Sequence, residues 1–310
     1  MIRYHAYGLD ILSDMIIPEF EFTGPSALKP AQPSEESDTQ DVVVRLGAQT
    51  KEPESPATEM RDFVFDHTHA VFSIDDVGIF TVNKGQEIDI RPAPGADPRH
   101  VRSILIGNVM AAVLYQRGYL VLHASTVQIG RRGVAIVGAP GSGKSSLCLS
   151  LYSRGFRVVS DDVSAIDTQG DRPVVMPGYP QLKVSANAAL SLGFESRMLI
   201  PLHEQEEKRG LRCERGYLPE PVSLDCIYIL TSQGAPGVER LSSQEALVEL
   251  VRHSLPTRIP QTAEASDFLQ CVSVVRRVPI YRLLNVPSSS DLIDLAVIIE
   301  RHQAEVLVQS

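Results

Sequence analysis

The chain has 310 residues, 43% of them hydrophobic, with a mean hydropathy of -0.02. That is enough apolar side chain for a sizeable buried core, and it excludes disordered and fibrous classes. Acidic residues outnumber basic ones, 38 to 29, for a formal net charge of -9. There is therefore no general electrostatic reason to bind nucleic acid or an anionic membrane.

The opening residues carry charges at Arg3, Asp10 and Asp14 without a continuous apolar segment, so they read as neither a signal peptide nor an anchor. No later run approaches the roughly 20 apolar residues that cross a bilayer. Proline-, serine- and acid-rich stretches at Thr23 to Gln40 and Thr50 to Glu59 interrupt the first third. Between and after them, β-branched and aromatic runs predict strands over Asp41 to Leu46, Asp62 to Phe65, Ala70 to Ile74 and Gly78 to Val82. Residues 1–95 thus read as a small, mostly antiparallel β domain, with a boundary in the proline-rich stretch Pro92 to Pro98.

Asp97-Pro98 then gives a helix start, an acid at the N-cap followed by proline in the first turn. Val101, Ile104, Leu105, Val109 and Ala112 share one face of that helix, and Gly118 ends it. Short apolar runs at Tyr119 to Leu122 and Val134 to Val137 predict buried strands. A helix closed by Gly155 leads to a third strand, Arg157 to Ser160, completing a βαβ unit. Further strands are expected at Leu224 to Leu230 and Ile280 to Leu284, with helices near Ser242 to His253, Ala263 to Val275 and Ser288 to His302. Residues 96–310 therefore read as one α/β domain. Its four cysteines, Cys148, Cys213, Cys226 and Cys271, lack Cys-x-x-Cys spacing, which argues against zinc and a disulfide scaffold and for a reduced, cytoplasmic setting.

Gly138-Ala139-Pro140-Gly141-Ser142-Gly143-Lys144-Ser145 fits the Walker A pattern between a predicted strand and a predicted helix. Glycines let backbone amides turn inward around phosphate oxygens, and the helix N-terminus adds partial positive charge. Gly138 to Ser146 form the expected nucleotide-binding set. Lys144, on what reads as an exposed loop, is expected to reach the β- and γ-phosphates, and Ser145 to hold magnesium. The alternative is a chance glycine turn. Asp161-Asp162 ends the next strand, at the sheet edge where open α/β proteins bind ligands. One carboxylate can serve magnesium while the other accepts a proton from an attacking hydroxyl. The other reading is one metal-linked acid and one turn residue. His123 ends the strand before, where a structural role is the commoner one for a lone histidine.

Taken together, Leu122-His123-Ala124-Ser125, the loop Gly138 to Ser145, and Arg154-Gly155-Phe156-Arg157-Val158-Val159-Ser160-Asp161-Asp162 resemble the catalytic domain of the HPr serine kinase/phosphorylase family. The resemblance is clear over about Leu120 to Val163. It implies a P-loop core related to HPr kinase and phosphoenolpyruvate carboxykinase, and phosphate transfer from ATP to a protein serine. It further implies Asp161 as general base, Asp162 with Ser145 as magnesium ligands, and His123 as an active-site neighbour. Downstream, the family's Arg-Gly signature is echoed only by Glu207-Lys208-Arg209-Gly210-Leu211, with Lys208 at an apolar position, which weakens any claim of phosphorolysis. The start, Arg3-Tyr4-His5-Ala6-Tyr7-Gly8-Leu9 with Ile16-Ile17-Pro18-Glu19, is similar instead to HPr-kinase-like proteins of lasso-peptide biosynthesis.

Lys183, Lys208, Arg209, Arg212, Arg215 and Arg258 are further candidates for a phosphate-neutralising cation, against the reading of each as ordinary solvated charge. Met176 to Lys183 could line an acceptor groove or form a rigid turn, and Pro201 to Pro221 reads as a mobile loop. The sequence thus points to an ATP- and magnesium-dependent kinase acting on a serine of a peptide or small protein, with the β domain helping to present that acceptor. A kinase of HPr or of a small metabolite stays open as an alternative, as does a nucleotide-binding sensor without transfer. No nucleic-acid or membrane partner is expected, and a homo-oligomer is compatible with the sequence.

Overall fold

The computed structural model describes residues 1–22, 42–47, 63–204, 206–232, 237–255, 264–284 and 292–309. The segments Thr23 to Gln40 and Thr50 to Glu59, the strand starts at Asp41 and Asp62, the helix starts at Ala263 and Ser288, and Arg258 lie outside them. The chain forms two compact units, Met1–Tyr119 with Leu202–Glu206, and Leu120–Pro201 with Glu207–Ser310.

In the first unit β1 (Ile2–Ala6) and β2 (Leu9–Ser13) form an antiparallel hairpin. Tyr7 and Gly8 turn it with φ of 56° and 72°. β3 (Val42–Leu46), β4 (Phe63–Phe65), β5 (His69–Ile74), β6 (Gly78–Asn83) and β7 (Glu87–Pro92) complete a sheet of order β1-β2-β3-β7-β6-β5-β4. The β2–β3 and β3–β7 pairings are parallel and the rest antiparallel. Residues alternate inward and outward along β2 and β6, as expected of a sheet with one buried face.

Asp97 caps α1 (Pro98–Ile104) by accepting from the Arg99 N–H at 2.9 Å. The helical path continues through a π-type turn, Leu105–Val109, into α2 (Met110–Gln116). This helical segment belongs to the first unit, so the units divide after Tyr119 rather than near residue 95. The cause is visible at Gly85 (φ 62°), whose N–H donates to Gln116 and whose carbonyl accepts from Arg117. A Cβ there would lie 2.9 Å from the Val113 carbonyl oxygen, so only glycine lets the β6–β7 turn and helix approach this closely.

The second unit is mixed α/β. Its main sheet contains β8 (Leu120–Leu122), β9 (Ala124–Ile129), β10 (Arg132–Gly138), β11 (Arg157–Ser160), β12 (Ser164–Asp167) and β13 (Val174–Val175). β14 (Gln181–Ser185), β15 (Leu199–Pro201) and β16 (Lys208–Arg212) form a separate three-stranded sheet. β17 (Val222–Leu230), β18 (Gly237–Arg240) and β19 (Ile280–Leu284) complete the main one, whose order is β11-β9-β10-β17-β13-β12-β8 with β19 also on β17 and β18 on β19. β10 runs parallel to β17, and β17 to β19. β10 and β11 are the expected βαβ pair, joined by α3 (Lys144–Ser153), but β9 lies between them, antiparallel to both. The two strands still run the same way and end at the same sheet edge.

Helix α4 (Ala186–Ser191) follows β14, and α5 (Ser243–His253) starts with a reciprocal capping box between Ser242 and Glu245. Helices Ala265–Arg277 and Leu292–Gln309 complete the unit. Leu122, Ala135, Val137, Ile227, Ile229, Leu250, Val274 and Ile280 are among its buried core side chains. The stretch expected as a mobile loop, Pro201 to Pro221, instead contains β16, which pairs with β14 and β15. Among the described residues, no helix is long and apolar enough to cross a membrane.

Candidate active site

β10 delivers the chain to the glycine loop, where Gly141 (φ 78°) and Gly143 (φ 92°) adopt left-handed backbone. Helix geometry leaves the first-turn amides of α3 without intrahelical acceptors, and the N-cap residue, Gly143, has no side chain to cap them. At Gly138 a Cβ would stand 2.6 Å from the Ser142 hydroxyl oxygen and 3.2 Å from the Leu230 Cβ. Ala139, Pro140 and Gly141 are exposed, and Ser142, Gly143, Ser145 and Ser146 half-buried. Lys144 departs from expectation, being only 6% exposed. Its ammonium donates back to the carbonyl oxygens of Gly138 at 3.0 Å and Ala139 at 3.1 Å.

Four elements bring the remaining predicted residues to this edge: β8 ends before His123, β9 starts at Ala124-Ser125, β11 ends before Asp161-Asp162, and β14 supplies Lys183. Asp161 is 4% exposed. Its Oδ1 accepts from the Ser125 hydroxyl at 2.5 Å and its Oδ2 from the Lys183 backbone N–H at 2.7 Å. Burial pushes the Asp161 carboxyl above its ordinary value, with a further push from the Asp162 charge, against the pull of these hydrogen bonds.

Asp162 differs. It has a φ of 69°, a left-handed conformation that aspartate tolerates better than most side chains. His123 Nδ1 lies 3.0 Å from the Asp162 carbonyl oxygen and 3.2 Å from its Oδ1. Both oxygens can only accept, so Nδ1 carries the hydrogen. Burial raises the Asp162 carboxyl too, but the His123 hydrogen bond and charge, with the charges of Lys183 and Lys208, outweigh it and hold the group well below the usual carboxylate range. The two neighbouring acids are thus driven in opposite directions, the pattern that separates a proton acceptor from a permanent anion.

Asp161 thus faces Ser125 and the Lys183 N–H, while Asp162 faces His123. The left-handed turn at Asp162 sends the two consecutive carboxylates to different partners. Sequence reading also missed a buried hydroxyl network beneath the pair. Thr126 and Ser160 each meet Ser164, at 2.9 and 2.7 Å, and Ser164 donates to the Ala124 carbonyl at 3.2 Å. Among the other candidate cations, Arg209 donates to the carbonyls of Glu207 and Lys208, and Arg212 pairs with Glu214 at 2.8 Å.

The residues present fit a magnesium nucleotide. The Ser142 hydroxyl is buried without a hydrogen-bond partner among the described residues, inside a loop whose amides suit phosphate oxygens. Among the described residues, no group of three or more His, Cys, Asp and Glu side chains is arranged to hold a metal. The Ser145 hydroxyl and one carboxylate are the hard oxygen donors magnesium uses when phosphates and water complete its shell.

No family model matches the chain. An HPr kinase/phosphorylase of Chlorobium phaeobacteroides (strain BS1) is 38% identical over 60 residues, 19% of this chain and 18% of that protein. Another, of Prosthecochloris aestuarii (strain DSM 271 / SK 413), is 37% identical over 60 residues with the same coverage. The chain spans about 18% of the length of these curated relatives. Among solved structures, the Hpr(Ser) kinase/phosphatase from Coxiella burnetii aligns with 61% of this chain and 93% of that one, at 12% identity and a TM-score of 0.36. The sequence similarity of this chain, over that short stretch, is to HPr kinase/phosphorylases.

Proposed function

We propose that the protein is a kinase that moves the γ-phosphoryl group of ATP to a serine hydroxyl of a peptide or small-protein acceptor. The observation that carries this reading is the divergence of Asp161 and Asp162 beside a phosphate loop. A simple nucleotide switch has no use for a buried carboxylate with raised proton affinity, while a hydroxyl acceptor must lose a proton as it attacks. Asp161, fixed by Ser125 and the Lys183 N–H, aligns the acceptor hydroxyl and takes its proton. The hydroxyl oxygen forms a bond to the γ-phosphorus, the bond to the β–γ bridging oxygen breaks, and ADP carries away that electron pair. Loop amides and Lys144 hold the phosphates in line. Ser145 and Asp162 would hold magnesium, which when bound offsets charge on the transferred group. His123 keeps Asp162 oriented.

The relatives' name, HPr kinase/phosphorylase, supports a kinase of this class. The opening residues Arg3 to Leu9 and Ile16 to Glu19 favour a lasso-peptide precursor as the acceptor. The test is release of ADP from magnesium ATP with and without a serine peptide encoded beside this gene, with the phosphorylated residue located by mass spectrometry. Peptide-dependent ADP release with phosphoserine is expected. Tight nucleotide binding with no transfer to any hydroxyl would contradict the reading and match a sensor.

A further inference from the structure

The three-stranded sheet of β14, β16 and β15 presents a second set of charges to Asp162. Lys183 opposes Gly210 and Ser185 opposes Lys208 in the antiparallel register. Directly opposed residues share a face, so Lys183 and Lys208 are diagonal neighbours on one face, about 7–8 Å apart between their backbones. Leu182, Val184 and Leu211 occupy the other face and are buried, which fixes the sheet by its apolar side. The Lys183 N–H bonded to Asp161 Oδ2 at 2.7 Å ties β14 to the acids.

The charge on these strands is one-sided. β14, β15 and β16 carry Lys183, Lys208, Arg209 and Arg212 and no acidic residue, in a chain whose net charge is -9. Arg209 turns back to its own backbone and Arg212 to Glu214. Both lysines act electrostatically on Asp162. Gly210, opposite Lys183, adds no side chain to this face, and a Cβ there would strike the Gln181 amide at 2.9 Å. The phosphate side of the site already has its own cation in Lys144. Alternate residues of an extended peptide are about 6.6–6.8 Å apart, close to the spacing of the two lysines.

We infer that Lys183 and Lys208 recognise the acceptor, and that this acceptor is a peptide with acidic side chains at alternate positions beside its hydroxyl residue. The inference rests on reading the site as a hydroxyl kinase.

The probes are two synthetic serine peptides, one with aspartates at alternate positions next to the serine and a twin with asparagines there. Binding of each to the full chain is followed by fluorescence anisotropy, with and without magnesium and a non-hydrolysable ATP analogue. The wild type is expected to favour the aspartate peptide by about tenfold, and rising salt to shrink the preference. In Lys208→Gln the preference falls several-fold while nucleotide affinity is kept, and in the Lys183→Gln/Lys208→Gln pair the preference vanishes. Equal binding of the two peptides by the wild type would overturn the inference, as would a preference retained in the double variant. Nucleotide affinity falling along with the preference would assign the lysines to ATP and overturn it too. A chain that keeps the peptide preference yet binds no magnesium nucleotide would contradict the kinase reading alone.

Discussion

The Ser125 hydroxyl donates to Asp161 Oδ1 at 2.5 Å, and both side chains are buried. The Lys183 N–H occupies the other carboxylate oxygen, so the carboxylate plane is set from two sides. Ser125→Ala removes a hydrogen bond to a charged acceptor, worth about 1.5–3 kcal/mol. The account expects kcat to fall about tenfold to a hundredfold with magnesium ATP affinity unchanged, read by steady-state kinetics and calorimetry. A kcat at the wild-type level would remove the positioning role.

Lys144 is buried against its own loop. Lys144→Met keeps most of the volume and deletes the ammonium. Nucleotide affinity is expected to fall at least about tenfold, with circular dichroism and Tm close to wild type. Unchanged affinity would contradict the phosphate-loop assignment.

Arg154 at the end of α3 pairs bidentately with Glu300 of the helix Leu292–Gln309, the Nη2 to Oε2 arm measuring 2.7 Å. The Arg154 hydrogen bonds hold the Glu300 carboxyl below its ordinary value of 4.5. A depressed carboxyl stabilises the fold above its unfolded pKa, and that contribution is lost as pH falls through the folded value. Glu300→Gln is therefore predicted to cost about 0.5–1 kcal/mol near pH 7, with no difference from wild type once Glu300 is protonated. Urea titrations at both pH values test the sign, and a gap that widens on acidification would refute it.

A chain starting at Asp97 keeps α1 and α2 but loses the strands of their own unit. Phe65 and His67, whose rings pack on Tyr115, and Gly85, which bonds Gln116 and Arg117, would be gone. Val101, Leu105, Val109, Val113 and Leu114, buried in the full chain, would face water. The expected result is aggregation by size-exclusion chromatography. A soluble, monodisperse product would show that this helical segment does not depend on the strands.

The strand–glycine loop–helix of β10 and α3 and the strand leading to Asp161-Asp162 were legible because each joins a distinctive residue pattern to a short apolar strand. The hairpin of β1 and β2 was not, since Tyr7, a buried aromatic with φ of 56°, stands where asparagine or glycine would mark a turn. β9 escaped notice because Ser125 and Thr126 are buried polar residues that break the apolar run, and their purpose emerges only when β11 pairs beside them. β16 mixes Lys208, Arg209 and Arg212 with Leu211, which read as a charged loop until β14 supplied its partner.

The central claim is that Asp161 accepts the proton while Asp162 serves the metal. Calorimetry of magnesium ATP binding, paired with single-turnover transfer to a serine peptide, tests it on Asp161→Asn and Asp162→Asn. Asp161→Asn should bind magnesium ATP like the wild type and transfer at least about a hundredfold more slowly, whereas Asp162→Asn should also lose magnesium-dependent affinity. Wild-type transfer by Asp161→Asn, or equal loss of magnesium-dependent binding in both variants, would contradict the account.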